Sequence, residues 1–419
     1  MCGISGILKF ADGNINLSLL EKMTQAVSHR GPDGYGFVAF NSRTGKSIIT
    51  HNQPLKTNTI SENYNIGLGH RRLAIIDLSE TGNQPMHRNN LCLTFNGEIY
   101  NYIELREELK QKGHIFSSSS DTEVILHAYQ EWDISCLDKF AGMFAFALWD
   151  QGKGRLFCAR DRFGIKPFYY YHNSNQFLFA SEIKQFFYEP SIKQKPNDAM
   201  AYDYLVHGFL DHTGQTLFKD IYQLEPGSYL IATAQGEVDI QSYWSLNADI
   251  TLKISETSSA EIFYDLLSRS VREHLRSDTT VGACLSGGLD STAITCLANY
   301  ILKENNATAK QATFSSVFTD SHCDEREYSN AVIDFLGIAN KTVFPQMSNV
   351  LEDIRTIMDF HDEPFGSTSQ YAQWKLYDHI QEAGIKVVLN GQGADEILAG
   401  YHSCYGAFHL QLLKGCKWI

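Results

Sequence analysis

A chain of 419 residues with 43% hydrophobic and 20% charged side chains can bury large cores, and its length implies about two or three domains. Its 35 basic and 48 acidic residues give a formal net charge of −13 with no long Lys/Arg run, which argues against nucleic acid or an anionic membrane as partner. Apolar stretches such as residues 141–149 fall far short of the roughly 20 needed to span a bilayer, no export signal opens the chain, and nine scattered cysteines without a C-x-x-C pair fit a reducing cytoplasm.

The chain opens Met1-Cys2-Gly3-Ile4. Removal of Met1 would leave Cys2 with a free α-amine beside its own thiol, and groups with pKa values near ~8 and ~8.5 make a nucleophile and its base. Helical spacing follows over residues 17–28 and halts at His29-Arg30-Gly31-Pro32. Arg72 stands in Gly69-His70-Arg71-Arg72-Leu73, and Asn96-Gly97-Glu98 follows a strand-like run at 91–95. Helices are expected over 102–112 and 121–132, with Asp121 in Ser120-Asp121-Thr122-Glu123, and further strands over 142–149, 156–159 and 168–171. The first half therefore reads as sheet-dominated, punctuated by helices.

These residues can receive an amino acid. A guanidinium (Arg72) matches a carboxylate bidentately, a carboxylate (Asp121) holds an ammonium, and Asn96 with the Gly97 N–H can donate to a developing oxyanion. Singly, each has an ordinary explanation: a surface ion pair for Arg72, a hairpin turn at Asn96-Gly97, a helix capping box at Ser120-x-x-Glu123.

Beyond a polar linker at 247–259 the texture changes. A helical stretch at 260–276 leads to an apolar run at 281–285, the loop Leu285-Ser286-Gly287-Gly288-Leu289-Asp290-Ser291, and a helical stretch at 291–303. Strand, Gly-rich turn and helix begin a doubly wound α/β domain, with 314–318 and 387–389 as further strands and a second Gly-rich loop at 390–393. Backbone N–H groups and a helix N-terminus would face an anion in the first loop; it lacks the Lys of a P-loop, and its Asp290 suits Mg²⁺. Residues 406–419 still read as a helix in the middle of a domain.

Cys2-Gly3-Ile4, His29-Arg30-Gly31-Pro32-Asp33, His70-Arg71-Arg72-Leu73, Gln84-Pro85-Met86, Asn96-Gly97-Glu98-Ile99-Tyr100-Asn101 and Ala159-Arg160-Asp161 through Lys166-Pro167 together resemble the class II glutamine amidotransferases, a family of N-terminal nucleophile enzymes. The resemblance implies Cys2 as nucleophile, Asn96 and Gly97 as oxyanion hole, and a glutamine pocket of Arg72, Leu73, Ile75, Ile76, Asn96, Gly97, Glu98 and Asp121. The loop at Ser286 resembles that of adenylate-forming ATP-pyrophosphatase domains, and the two halves together are similar to glutamine-hydrolysing asparagine synthetases. That likeness implies ATP held by Leu285, Ser286, Gly287, Gly288, Leu289, Asp290, Ser291, Thr292, Ser316, Asn390 and Gly391, an acceptor site at Gln392 and Asp395, and Mg²⁺ on Asp290 and Asp395.

The implied fold is α/β in two domains: an N-terminal αββα sandwich of the N-terminal nucleophile type (residues 2–215), a connecting segment (216–258), and a doubly wound parallel ATP-pyrophosphatase domain of the adenine nucleotide α-hydrolase kind (259–419). The implied reaction is asparagine synthesis: ammonia freed from glutamine attacks a β-aspartyl adenylate made from aspartate and ATP, travelling between the sites by an apolar passage, in a cytoplasmic homodimer. Two departures stand out. Gln392 replaces a carboxylate found in the family's bacterial asparagine synthetases, which opens other carboxylate acceptors such as a sugar acid. Family members also continue past residue 419 into a part that holds a lysine stabilising the adenylation transition state, so the second domain is expected to be incomplete, with a protein limited to glutaminase or binding activity as a further alternative.

Overall fold

The computed structural model describes residues 1–11, 13–55, 63–247, 252–304, 311–317, 324–345 and 350–414. They fall into two compact units, Met1–Lys253 with Ile354–Gly366, and Ile254–Asp353 with Ser367–Ile419.

The strands of the first unit are β1 (Gly3–Lys9), β2 (Gly34–Phe40), β3 (Ser47–His51), β4 (Ile66–Arg72), β5 (Met86–Arg88), β6 (Leu91–Ile99), β7 (Gly142–Asp150), β8 (Arg155–Arg160), β9 (Tyr169–His172), β10 (Gln176–Ala180), β11 (Tyr222–Gln223), β12 (Ser228–Thr233) and β13 (Val238–Ser242). They form a seven-stranded sheet in the order β11-β9-β10-β1-β4-β2-β3 and a six-stranded sheet in the order β13-β12-β8-β7-β6-β5. Ile4, Leu8, Val38 and Leu68 of the first sheet meet Ala145, Ala147, Trp149 and Cys158 of the second in a common core. Outside them, α1 (Leu17–Gln25) covers the first sheet, while α2 (Tyr102–Gln111), α3 (Asp121–Trp132) and α4 (Cys136–Lys139) cover the second. A further helix, α5 (Asp198–His207), precedes β11. The layers are thus α, β, β, α, as the resemblance implied.

Strands clothed on both faces need apolar residues at both parities. In β7, Ala145, Ala147 and Trp149 face the other sheet while Phe144, Phe146 and Leu148 face the helices. Where α1 presses on β4 there is no room for a side chain: a Cβ on Gly69 would lie 2.1 Å from Thr24 Oγ1 and 2.6 Å from Ser5 Oγ.

Several boundaries differ from expectation. β6 runs on through Asn96-Gly97-Glu98, paired with Ala145, Phe144 and Met143, so these residues belong to a strand and the hairpin-turn reading falls. The segment 216–258, expected as a connector, supplies β11, β12 and β13; β12 pairs with β8 over Tyr229–Ala159 and its neighbours, so the chain leaves this unit only at Lys253. α1 stops at Gln25 and residues 26–30 turn, which places Val27 where a Cβ on Gly3 would touch it.

The second unit holds a four-stranded parallel sheet, β14 (Val281–Cys284), β15 (Ala312–Ser316), β16 (Ala339–Val343) and β17 (Val387–Leu389), in the order β16-β15-β14-β17. Its helices are α6 (Glu256–His274), α7 (Leu289–Glu304), α8 (Arg326–Leu336), α9 (Val350–His361, shared with the first unit), α10 (Ser369–Glu382), α11 (Ala394–Leu398) and α12 (His402–Lys414). α6 and α7 pack one face through Val271, Ala298 and Ile301, and α10 the other through Leu376 and Ile380, giving the expected doubly wound layering. α6 begins earlier than its spacing indicated because the Ser255 side chain accepts from Ser258 N and caps it. Phe318 and the last five residues of the expected terminal helix lie outside the described residues. Among the described residues no helix is long and apolar enough to cross a membrane.

Gly69→Ala should lower unfolding free energy by about 1–3 kcal/mol, because the added methyl must displace the buried Ser5–Thr24 hydroxyl pair. Urea unfolding of the variant against the parent measures it.

Candidate active sites

Cys2 precedes β1, whose first residue pairs with Arg71 on β4, so the thiol comes to rest beside the chain that leaves β4. Its Sγ accepts from Leu73 N at 3.3 Å and lies 3.7 Å from Leu73 O. The His29–Asp33 motif holds both partners: Arg30 Nε donates to Cys2 O (2.9 Å), Asp33 N donates to Arg72 O, and Asp33 Oδ2 accepts from Ala74 N (2.8 Å). Burial pushes the Cys2 thiol up, and the charge at the amino terminus pulls it back down. That amine is here Met1's, and burial lowers it to about 5.

β6 supplies the polar wall opposite. Its odd-numbered N–H groups point away from β7: Phe95 N donates to Gln84 Oε1 (2.7 Å) and Ile99 N to Asp121 Oδ2 (3.0 Å). Gly97 lies between them with the same orientation, because its opposite number Phe144 gives both N–H and C=O to Asp161. A Cβ there would sit 2.2 Å from Met143 O, so only glycine fits. On the other face Asn96 projects between the sheets with Cys92 and Thr94. Asn96 is fully buried, and neither its Nδ2 nor its Oδ1 has a hydrogen-bond partner.

Arg72 is not a surface ion pair. It is buried, its NH1 donates to Ser79 O and Asn83 Oδ1 (both 2.8 Å), and its NH2 to Asp77 O. Those bonds leave the Nε–H and one further N–H for a ligand. Asp77 builds the loop that cradles it, accepting from Ser79 N and Oγ, Thr81 Oγ1 and Ser119 N. Ser120 caps α3 through Thr122 N, but Glu123 turns instead to Ser117 and Ser118, so no reciprocal capping box forms. Burial pushes Asp121 up to about 6. Burial and then the neighbouring Asp121 push Glu98 up to about 7. Of the remaining expected pocket residues, Ile76 is buried and Ile75 half-buried beside this loop.

Sequence reasoning missed Asp77, Asn83, Gln84 and Glu182 as supports. The spacing Asp77-x-Ser79-x-Thr81 was the available signal for the first, since an Asp accepting from residues two and four ahead closes a tight loop.

In the second unit the Ser286 loop leaves the C-terminal end of β14, beside the point where the sheet order reverses toward β17, the usual ligand position in such sheets. Ser286 and Ser291 hydroxyls lie 2.9 Å apart, Gly288 N donates to Ser286 Oγ, and Ser291 Oγ donates to Gly288 O, which pins the loop across the start of α7. Gly287 takes φ +103°. Gly391 of the second loop backs onto Asp290 and Ser291, so both Gly-rich loops meet. Asn390 Oδ1 accepts from Gln392 N, and the Gln392 side chain is exposed. Leu285 is fully buried, with N bonded to Phe314 O and O accepting from Ser315 Oγ; adjacent Ser316 has a buried, unpartnered Oγ. Leu289 and Thr292 lie in the first turn of α7, Leu289 exposed. Asp395 lies against Gly400, and among the described residues no hydrogen bond joins it to Asp290 and no cluster of three or more His, Cys, Asp or Glu forms a metal site.

Residues 40–244 match the family model described as a glutamine amidotransferase domain, and residues 263–415 the model described as asparagine synthase. A Methanocaldococcus jannaschii protein named "Putative asparagine synthetase (glutamine-hydrolyzing) 2" is 34% identical over 99% of this chain and 78% of its own length. Asparagine synthetase (glutamine-hydrolyzing) 1 of Bacillus subtilis is 33% identical over 96% of this chain, which spans 59% of that relative's length. Amidase chry2 of Gibberella zeae is 29% identical over 96% of this chain and 59% of its own.

A carboxyl whose folded pKa stands above its ordinary value binds an extra proton when folded, so the stability tied to Glu98 is present below about pH 4.5 and is lost as pH rises through about 7. Urea unfolding at pH 5 and pH 8 should show a smaller fall in stability for Glu98→Gln than for the parent.

Proposed function

The chain belongs to the family of glutamine-hydrolysing asparagine synthetases, and from that premise we propose that it frees ammonia from glutamine at Cys2 and uses it to amidate a carboxylate activated by ATP, aspartate being the acceptor.

The observation that supports the first half-reaction most strongly is the unpartnered Asn96 amide next to Gly97, whose N–H points away from β7. A buried polar group without a partner costs about 1–3 kcal/mol, a cost relieved when an oxyanion arrives. With Met1 removed, the α-amine would be Cys2's own, beside its thiol, and can take the thiol proton as Sγ attacks the glutamine side-chain amide. The free edge of Arg72 receives the substrate carboxylate. Its ammonium meets Asp121 and Glu98, whose raised pKa values fall when the cation arrives. The thioester that forms is hydrolysed to glutamate, and the protonated amine supplies the proton for the departing ammonia.

For the second half-reaction the pinned Ser286 loop and the start of α7 present N–H groups to the pyrophosphate of ATP, with Leu285 and Ser316 beside the adenine and the Ser316 hydroxyl free to bond it. Mg²⁺ is proposed on Asp290 and Asp395. Two carboxylates fall short of an all-protein cage but suit an ion completed by phosphate oxygens and water, whose charge would offset that on the phosphates. Transfer of the acceptor carboxylate to the α-phosphate gives an acyl adenylate and releases pyrophosphate; ammonia then displaces AMP. Another carboxylate acceptor is the second reading, motivated by the neutral, exposed Gln392 and by the relative named an amidase; the names of the other relatives favour aspartate. We place the enzyme in the cytoplasm, since the described cysteines are all free thiols, and propose a homodimer on the family likeness.

Purified protein with Met1 removal confirmed by mass should release glutamate from glutamine, and Cys2→Ala should abolish it. Asn96→Ala should lower kcat by about 10²- to 10³-fold with little change in KM. Asparagine, AMP and pyrophosphate from aspartate, glutamine, ATP and Mg²⁺ would complete the reading; a parent protein that releases no glutamate would overturn it.

A further inference from the structure

We propose that Glu182 is a positioning residue for the Cys2 nucleophile, and that Lys184 and Asp362 extend its hold through a continuous chain of ion pairs. The inference rests on Cys2 being the glutaminase nucleophile.

The side chain of Glu182 is 6% exposed and accepts from three side chains: His29 Nε2 (2.8 Å) and Arg30 NH1 (3.0 Å) on Oε1, and Lys184 Nζ (2.7 Å) on Oε2. Arg30 uses its remaining edge, Nε, on Cys2 O at 2.9 Å. The carboxylate therefore fixes the guanidinium that fixes the Cys2–Gly3 peptide plane, and that plane aims the Cα–Cβ bond carrying Sγ. The same short segment grips the next residue as well. Ile4 N donates to Ser181 Oγ, while Ile4 O accepts from Ser181 N and from Gln185 Nε2. A general stabilising ion pair could sit anywhere on the unit; this one ends on the carbonyl of the nucleophile.

On its far side Glu182 is held in turn. Lys184 Nζ lies 3.4 Å from Asp362 Oδ1, Lys184 N donates to Asp362 Oδ2 (3.2 Å), and Lys184 Nζ donates to Phe360 O (3.5 Å). The Phe360 ring meets His29 edge-on at 4.7 Å, so the 360–362 segment closes over two of the three partners of Glu182, His29 and Lys184. Asp362 belongs to the stretch Ile354–Gly366, which packs in the first unit although its chain neighbours on both sides belong to the second. Glu363 and Phe365 anchor that stretch independently, through Leu217 N (2.6 Å) and Tyr204 OH (3.3 Å). Loss of the Asp362 carboxylate alone should therefore leave the stretch docked while loosening Lys184.

The test compares the parent with Lys184→Met, Asp362→Asn, Glu182→Gln and Glu182→Asp in the full chain. Three quantities are read: the rate of Cys2 alkylation by iodoacetamide followed by peptide mapping, kcat and KM for glutamate release, and the thermal midpoint. Lys184→Met and Asp362→Asn should slow alkylation and lower kcat together by about tenfold, leaving KM unchanged because Arg72 and Asp121 are untouched. Glu182→Asp should recover part of what Glu182→Gln loses. Folded Lys184→Met and Asp362→Asn proteins with parental alkylation rate and kcat would overturn the proposal, as would a rise in KM with kcat unchanged. A parent that releases no glutamate would sink the glutaminase reading, while the alkylation rates would still decide whether these residues position the thiol.

Discussion

The nucleophile proposed at the second residue requires an immobile chain end, and chain ends ordinarily fray. Here β1 begins at the very next residue and runs between β10 and β4, so hydrogen bonds grip the chain from both sides. That central position is the constraint from which the rest follows. It demands glycines where α1 closes on the sheet, and it sets the thiol beside the chain leaving β4. It also recruits Arg30, Ser181 and Gln185 to peptide groups that would otherwise lie loose at a terminus.

The proposed glutamine pocket rests on selected polar groups left unmatched. Phe95 N and Ile99 N are satisfied by side chains, whereas the Asn96 amide between them is not. Arg72 is likewise committed on one edge only, its loop held by Asp77. The unsatisfied donors cost stability in the resting chain, and the dense sheet packing around them keeps them from collapsing onto each other.

Much of this was legible in the sequence. Strand, Gly-rich loop and helix announced the second unit, because local turn chemistry and apolar runs are enough to specify a parallel strand and its phosphate-facing loop. Arg72, Asn96 and Asp121 stood out as candidates too, since guanidinium, amide and carboxylate each imply a partner, and all three are buried. The extent of β6 was not: Asn96-Gly97 has turn-like chemistry, and only the ladder with β7 shows that it is strand. β12 was hidden because its membership depends on pairing with β8, far back in the chain. The chain from Arg30 through Glu182 and Lys184 to Asp362 was also hidden, because its members stand 152 and 178 residues apart and nothing local marks them as partners. In the second unit, Asp290 and Asp395 were legible as carboxylates in or just after the two Gly-rich loops, and Gly391 of the second loop backs onto Asp290 of the first.

The first unit is not one continuous stretch of chain: Ile354–Gly366 must join Met1–Lys253 to complete it. During translation the ribosome delivers the nucleophile first and Asp362, the outermost member of its support, some hundreds of residues later. The sheets and the pairs of Glu182 with His29, Arg30 and Lys184 can form before then, but the Lys184–Asp362 contact cannot close until the intervening second-unit segment has left the exit tunnel. The reactive end of the protein is thus finished late in synthesis, and a gene cut at the domain boundary would yield a sandwich missing part of its own structure.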